Sequence, residues 1–139
     1  MEPLTVPGTL DSLKPIAEYV MAAAAAAGLD KKASYNLRLA VDEIATNVII
    51  HGYEEAGRDG NLVLQAEIDD RVLKFTVEDT ATFFDATQKA DPDDLDLPLE
   101  KRQIGGLGVY LAIKGVDKFL YERSGDRNRT IFIVNRFTS

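Results

Sequence analysis

The sequence predicts an α+β domain, and two observations carry that prediction. Apolar residues recur at helical spacing from Leu10 to Ile50 and afterwards mostly alternate at strand spacing, so helices and strands are segregated and not regularly interleaved. The 139 residues suffice for one compact domain with its own core, and no internal repeat or second domain is visible, so residues 1–139 read as one unit.

Leu4-Thr5-Val6 reads as a short edge strand ended by Pro7-Gly8. From Leu10, the residues Leu10, Leu13, Ile16, Ala17, Val20, Met21 and Ala24 mark one face of a first helix. Pro15 falls near its first turn, where a missing N–H is least costly. The alanine run Ala22 to Ala27 needs no functional explanation, because alanine is the best helix former. Gly28 is the expected stop. A second helix is expected to start after Asp30, with Leu37, Ala40, Val41, Ile44, Ala45, Val48 and Ile49 as its apolar face. His51-Gly52-Tyr53 should end it, and the polar stretch from Glu54 to Asn61 should be a loop.

Leu62, Leu64, Ala66 and Ile68 then alternate with polar or exposed-type neighbours, as do Leu73, Phe75 and Val77 after a turn at Asp69-Asp70-Arg71. That is a hairpin. From Thr80 to about Ile104 the periodicity fails. The stretch Ala90 to Gln103 holds two prolines and five acids, the composition of a long functional or disordered loop. Gly105 to Gly115 passes from a glycine cluster into a helix. Val116 to Arg123 and Arg129 to Phe137 read as two last strands about a Ser124-Gly125-Asp126 turn.

Composition excludes several functions. With no cysteine, thiolate catalysis, disulfides and Cys-based zinc sites are ruled out. His51 is the single histidine, which removes multi-His metal sites and makes a Ser-His-Asp hydrolase a poor fit. The net charge of −7 opposes direct contact with nucleic-acid phosphates. No run of roughly 18 apolar residues supports a membrane span, and the start of the chain does not read as a signal peptide, so a cytoplasmic location is expected.

Within the second helix, Glu43 and Asn47 stand four residues apart on a flank crowded by Ala40, Ile50 and His51. Such a pair usually faces water. Here apolar residues surround it, and a carboxylate is costly to bury without compensation. An amide oxygen suits Mg²⁺, which takes few protein ligands plus substrate phosphates. A carboxylate one turn away can take a proton from a hydroxyl. Gly105-Gly106-Leu107-Gly108 before a helix is either a hinge or a place where backbone N–H groups approach phosphate oxygens. Neither a P-loop nor a Rossmann fingerprint is present. Asp79 is either a turn residue or a buried acceptor for the exocyclic amine of adenine, and Thr130 lies on the last strand, where threonine is common.

In this order, the features resemble the GHKL, or Bergerat-fold, ATPase superfamily, and more closely its small anti-sigma-factor serine kinases. The resemblance spans nearly the whole chain. It implies a two-layer sandwich with helices on one face of a mostly antiparallel sheet, and Mg-ATP as cofactor. DEIATNVIIHGY matches the family's N box, which would make Glu43 the general base and Asn47 the Mg²⁺ ligand. GGLGVYL matches a glycine box, with Gly106 and Gly108 against the phosphates and residues of about 80–104 as an ATP lid. Asp79 matches the adenine-reading aspartate, Thr130 the last-strand threonine near it, and Ala81 stands where the family has a nucleotide-contacting glycine. The stretch Asp79-Thr80-Ala81-Thr82-Phe83 contains no glycine, so Ala81 adds a methyl at that close approach. Lys101 and Arg102 are the basic residues toward the end of the lid segment, and either could reach a terminal phosphate.

The leading expectation is therefore a serine/threonine protein kinase that phosphorylates a STAS-type anti-sigma antagonist and binds a sigma factor in a partner switch. The same resemblance implies a homodimer, for which Leu4 to Val6 and the first helix are a candidate contact. The alternative is a regulatory module that keeps the fold and sequesters a partner without using ATP. A third reading is ATP hydrolysis without a protein acceptor, which the absence of a transducer domain disfavours.

Overall fold

A computed structural model describes residues 1–81 and 114–136. Five strands form one sheet: β1 (Leu4–Pro7), β2 (Asn61–Ile68), β3 (Val72–Asp79), β4 (Lys118–Ser124) and β5 (Arg127–Asn135). Their order is β1-β2-β3-β5-β4, and every neighbouring pair is antiparallel. Two helices, α1 (Leu13–Ala26) and α2 (Lys31–Asn47), cover one face. The expected α+β two-layer sandwich is the observed architecture.

Alternation makes the sheet two-faced. Leu62, Leu64, Ala66, Leu73, Phe75, Val77, Phe132 and Val134 are buried in one cluster with Ile16, Val20, Leu37, Val41 and Ile44 of the helices. Val63, Gln65, Glu67, Lys74, Thr76 and Glu78 lie on the other side and are at least partly exposed. Fully burying one large apolar side chain contributes about 1.5–3 kcal/mol, so the helix–sheet seam is the principal source of stability.

Helix α1 starts later than its pattern suggests. Leu10 belongs to a separate 3₁₀ turn (Leu10–Ser12), and both Leu10 and Met21 are exposed, while Ile16, Val20 and Ala24 are buried. Gly28 does stop the helix, with φ 74°. Its N–H donates to Ala25 (3.0 Å) and that of Leu29 to Ala24 (3.0 Å), the paired bonds of a Schellman cap. Arg136 closes the same end: its Nε donates to the Ala27 carbonyl (2.9 Å) and its Nη1 to that of Asp69 (2.5 Å). Helix α2 begins where Asp30 caps it, the carboxylate accepting from Ala33 N–H at 2.8 Å. All seven residues assigned to its apolar face are buried.

The end of this helix departs from expectation. His51-Gly52-Tyr53 does not stop the chain; Val48–Glu54 continues as a π-helix. Glu55 N–H reaches Ile50 O (2.8 Å) and Arg58 N–H reaches Tyr53 O (2.8 Å), both five residues back. The wider turn brings Tyr53 into the core at 2% exposure. Glycine is needed on both sides of its ring. A Cβ on Gly8 would fall 2.4 Å from Tyr53 Cδ2, and one on Gly60 would fall 2.5 Å from Cε1. The two glycines also bond each other, Gly8 N–H to Gly60 O at 2.8 Å.

Both hairpins form as expected, with small shifts of boundary. Asp69 Oδ1 accepts from the N–H groups of Arg71 (2.7 Å) and Val72 (2.8 Å), fixing the β2–β3 turn. Gly125 has φ 62° in the two-residue β4–β5 turn.

Candidate nucleotide site

Asp79 ends β3 on the core-facing side, because strand alternation continues from Leu73, Phe75 and Val77. It is 3% exposed. Its Oδ1 accepts from Ala81 N–H at 2.9 Å and from Asn128 Nδ2 at 2.8 Å. Among the described residues Oδ2 accepts no hydrogen bond. Burial pushes the Asp79 carboxyl above its ordinary value, while those two donors and the Arg123 guanidinium pull it down.

Asn128 lies directly opposite Asp79 in the β3–β5 register, and Thr130 opposite Val77. Both face the helical layer and both are buried. Asp79, Ala81 and Thr130 therefore meet at one end of the sheet. Ala81 is 2% exposed and its methyl belongs to the core cluster. Its φ is negative, since no described residue other than glycine has a positive φ, so the backbone here does not require glycine.

On α2 the Glu43–Asn47 pair is not a solvated face. Asn47 is 6% exposed and Glu43 half-buried. Asn47 Nδ2 donates to the Glu43 carbonyl at 2.8 Å, which leaves Oδ1 a hard oxygen with no hydrogen bond among the described residues. Burial raises the Glu43 carboxyl above its ordinary value, and the Asp42 charge adds to the rise. That moves an acid toward the range where it exchanges protons near neutrality.

Tyr53 joins the two halves. Its hydroxyl accepts from Thr80 N–H (2.9 Å), the residue after Asp79, and donates to Asn61 O (2.9 Å). Tyr53 lies on the π-helix that begins right after Asn47, a common feature of functional sites. Gly106, Gly108, Lys101, Arg102 and nearly all of the expected lid lie outside the described residues.

Asn128, Tyr53, Tyr121 and Arg123 were not singled out from the sequence. The available signal for Asn128 was parity: it stands two residues before Thr130, on the same strand face. The β3–β5 pairing that sets it against Asp79 was not readable.

Residues 6–134 match the histidine kinase-like ATPase domain family, and the chain belongs to it. Among its relatives is the serine-protein kinase RsbW of Listeria monocytogenes, 33% identical over 91 residues, which are 63% of this chain and 57% of that protein. The serine-protein kinase RsbW of Staphylococcus aureus is 30% identical over 92 residues, 63% of this chain and 58% of that protein. The chain thus spans less than three fifths of these relatives. In fold it resembles the histidine kinase domain of the blue-light activated histidine kinase from Erythrobacter litoralis, with a TM-score of 0.56 at 18% identity, covering 89% of this chain and 59% of that one. No helix among the described residues is long and apolar enough to cross a membrane.

Proposed function

We propose that this chain is a Mg-ATP-dependent serine/threonine protein kinase of the anti-sigma type, acting in the cytoplasm on a small protein antagonist. The observation that carries the reading is the buried Asp79, held with one oxygen saturated and the other left to accept. The pairing of Glu43 and Asn47 on α2 and the similarity to serine-protein kinases support it.

In this reading Asp79 Oδ2 accepts the exocyclic amine of adenine, beside Thr130. Gly106 and Gly108 contact the phosphates. Magnesium fits the donors in a limited way: Asn47 Oδ1 is a suitable hard ligand, and no group of three or more acidic or histidine side chains among the described residues would hold the ion alone. The ion would therefore arrive with the triphosphate, whose charge it neutralises. Glu43 accepts the proton of the incoming serine hydroxyl. The serine oxygen bonds to the γ-phosphorus as the bond from that phosphorus to the β–γ bridging oxygen breaks, and ADP leaves. Few side chains are needed, because this transfer depends on positioning and charge neutralisation.

Incubation with labelled ATP and the antagonist protein tests the assignment. Glu43→Ala should keep nucleotide binding and lose transfer; undiminished transfer would reject Glu43 as base. A second reading has its own observation. Ala81 occupies the core where the family has glycine, and this favours a module that sequesters a sigma factor or antagonist without using ATP. In that case millimolar Mg-ATP would leave the unfolding temperature unchanged, since only binding to the native state raises it.

A further inference from the structure

We infer that Asn128 is a positioning residue that fixes Asp79 as an acceptor and thereby sets adenine over guanine; this rests on the nucleotide reading of Asp79 above. Asn128 is 3% exposed and stands cross-strand from Asp79. The orientation of its amide is determined by its partners. Oδ1 accepts from the Tyr121 hydroxyl and from Arg123 Nη1 at 2.7 Å, both on β4. Nδ2 then has to face the other way, donating to Asp79 Oδ1 at 2.8 Å and to Ala81 O at 3.1 Å. A flipped amide would set its oxygen against the carboxylate and its NH₂ against two donors.

This arrangement has a consequence for base choice. With Oδ1 taken by Asn128 and the Ala81 N–H, these two bonds offset part of the burial that opposes ionisation of Asp79, and Oδ2 is left to accept. Adenine presents an amine at that edge, whereas guanine presents an oxygen, which a carboxylate repels and only a protonated acid could donate to. Among the described residues, the other charged groups near Asp79 are few. Glu78 on its own strand opposes ionisation and Arg123 from β4 favours it. Arg127 and Arg129 of β5 pair with Glu78 at 2.7 and 3.8 Å. From the helical layer Tyr53 brings a neutral hydroxyl to Thr80. Asn128 is the one side chain among the described residues that bonds the Asp79 carboxylate.

The test follows the Asp79 carboxyl by carbon NMR against pH in nucleotide-free protein, and measures ATP and GTP affinity by calorimetry across the same range. In Asn128→Ala the pH at which Asp79 loses its proton should rise. ATP affinity at neutral pH should fall about tenfold or more, the weight of a lost hydrogen bond to a charged group, while GTP affinity does not fall in step. Tyr121→Phe, which removes one of the two donors that pin the amide, should shift both readouts the same way by less, and it decides the matter if Asn128→Ala does not fold. An unchanged Asp79 titration together with an unchanged ATP:GTP ratio would overturn the inference. Wild-type protein that binds neither nucleotide would strike the nucleotide reading, and the base-selection half of the inference with it. The Asp79 titration would then still decide whether Asn128 positions the carboxylate.

Discussion

Replacing Tyr53 by phenylalanine removes one oxygen from the centre of the structure and leaves the ring between Gly8 and Gly60 in place. Two short backbone bonds go with that oxygen, the one accepted from Thr80 N–H at 2.9 Å and the one donated to Asn61 O at 2.9 Å, together with a longer contact to the Thr80 hydroxyl at 3.4 Å. The two backbone partners are part-buried, and the phenylalanine ring offers them nothing. Leaving such groups unsatisfied costs about 1–3 kcal/mol each at most, and partial access to water lowers the sum to about 2 kcal/mol. With a urea slope of about 1.5 kcal/mol/M, the unfolding midpoint should drop by roughly 1.3 M with the slope unchanged. Equilibrium urea unfolding followed by circular dichroism measures this. Because Thr80 follows Asp79 directly, nucleotide affinity should fall in the same variant even well below the denaturation range. A midpoint within about 0.2 M of wild type would refute the claim that this hydroxyl ties the π-helix to the site.

Gly60→Ala should cost about 1–3 kcal/mol, since its Cβ would meet the Tyr53 ring at 2.5 Å, and thermal unfolding will read the loss. Arg136→Ala, which frees the carbonyls of Ala27 and Asp69, should cost about 1–2 kcal/mol after allowance for its partial exposure, with faster amide exchange at the α1 terminus as the local sign. The Asp79 carboxyl titrates above its ordinary value in the folded state, so in the window between the two values the native protein holds more protons than the unfolded chain. Stability must therefore fall as pH rises through that window. Asp79→Asn, whose amide oxygen can still accept from Ala81 and Asn128, should remove this fall and match or exceed wild-type stability at pH 7 in urea titrations run at several pH values. A variant as pH-sensitive as wild type would show that other groups cause the dependence.

Local rules made much of the fold legible. Asp30 and Gly28 mark helix ends because a cap needs an acceptor and a left-handed residue needs no Cβ, and both act within a few residues. The hairpins follow from alternation and from Asp69 and Gly125 at their turns. Leu10 lies before α1 and Met21 is exposed within it, because spacing alone shows neither where a helix begins nor how far round its apolar stripe the sheet reaches. The π-helix was missed because seven residues hold too little periodicity to reveal bonding five residues back, and His51-Gly52 looks like a stop. At the site, Asp79, Glu43 and Asn47 stood out as polar residues in apolar patterns. Asn128 and Tyr53 did not, because their roles depend on strand order and on contacts with Gly8, Gly60 and Thr80 that no local pattern encodes.

Calorimetric titration of wild type and Asp79→Asn with Mg-ATP tests the central claim most directly. The account predicts saturable binding of one nucleotide per chain to wild type, weakened when magnesium is withheld, and no binding to a fully folded Asp79→Asn. Equal binding by the two proteins, or no heat from wild type at millimolar Mg-ATP, would contradict it.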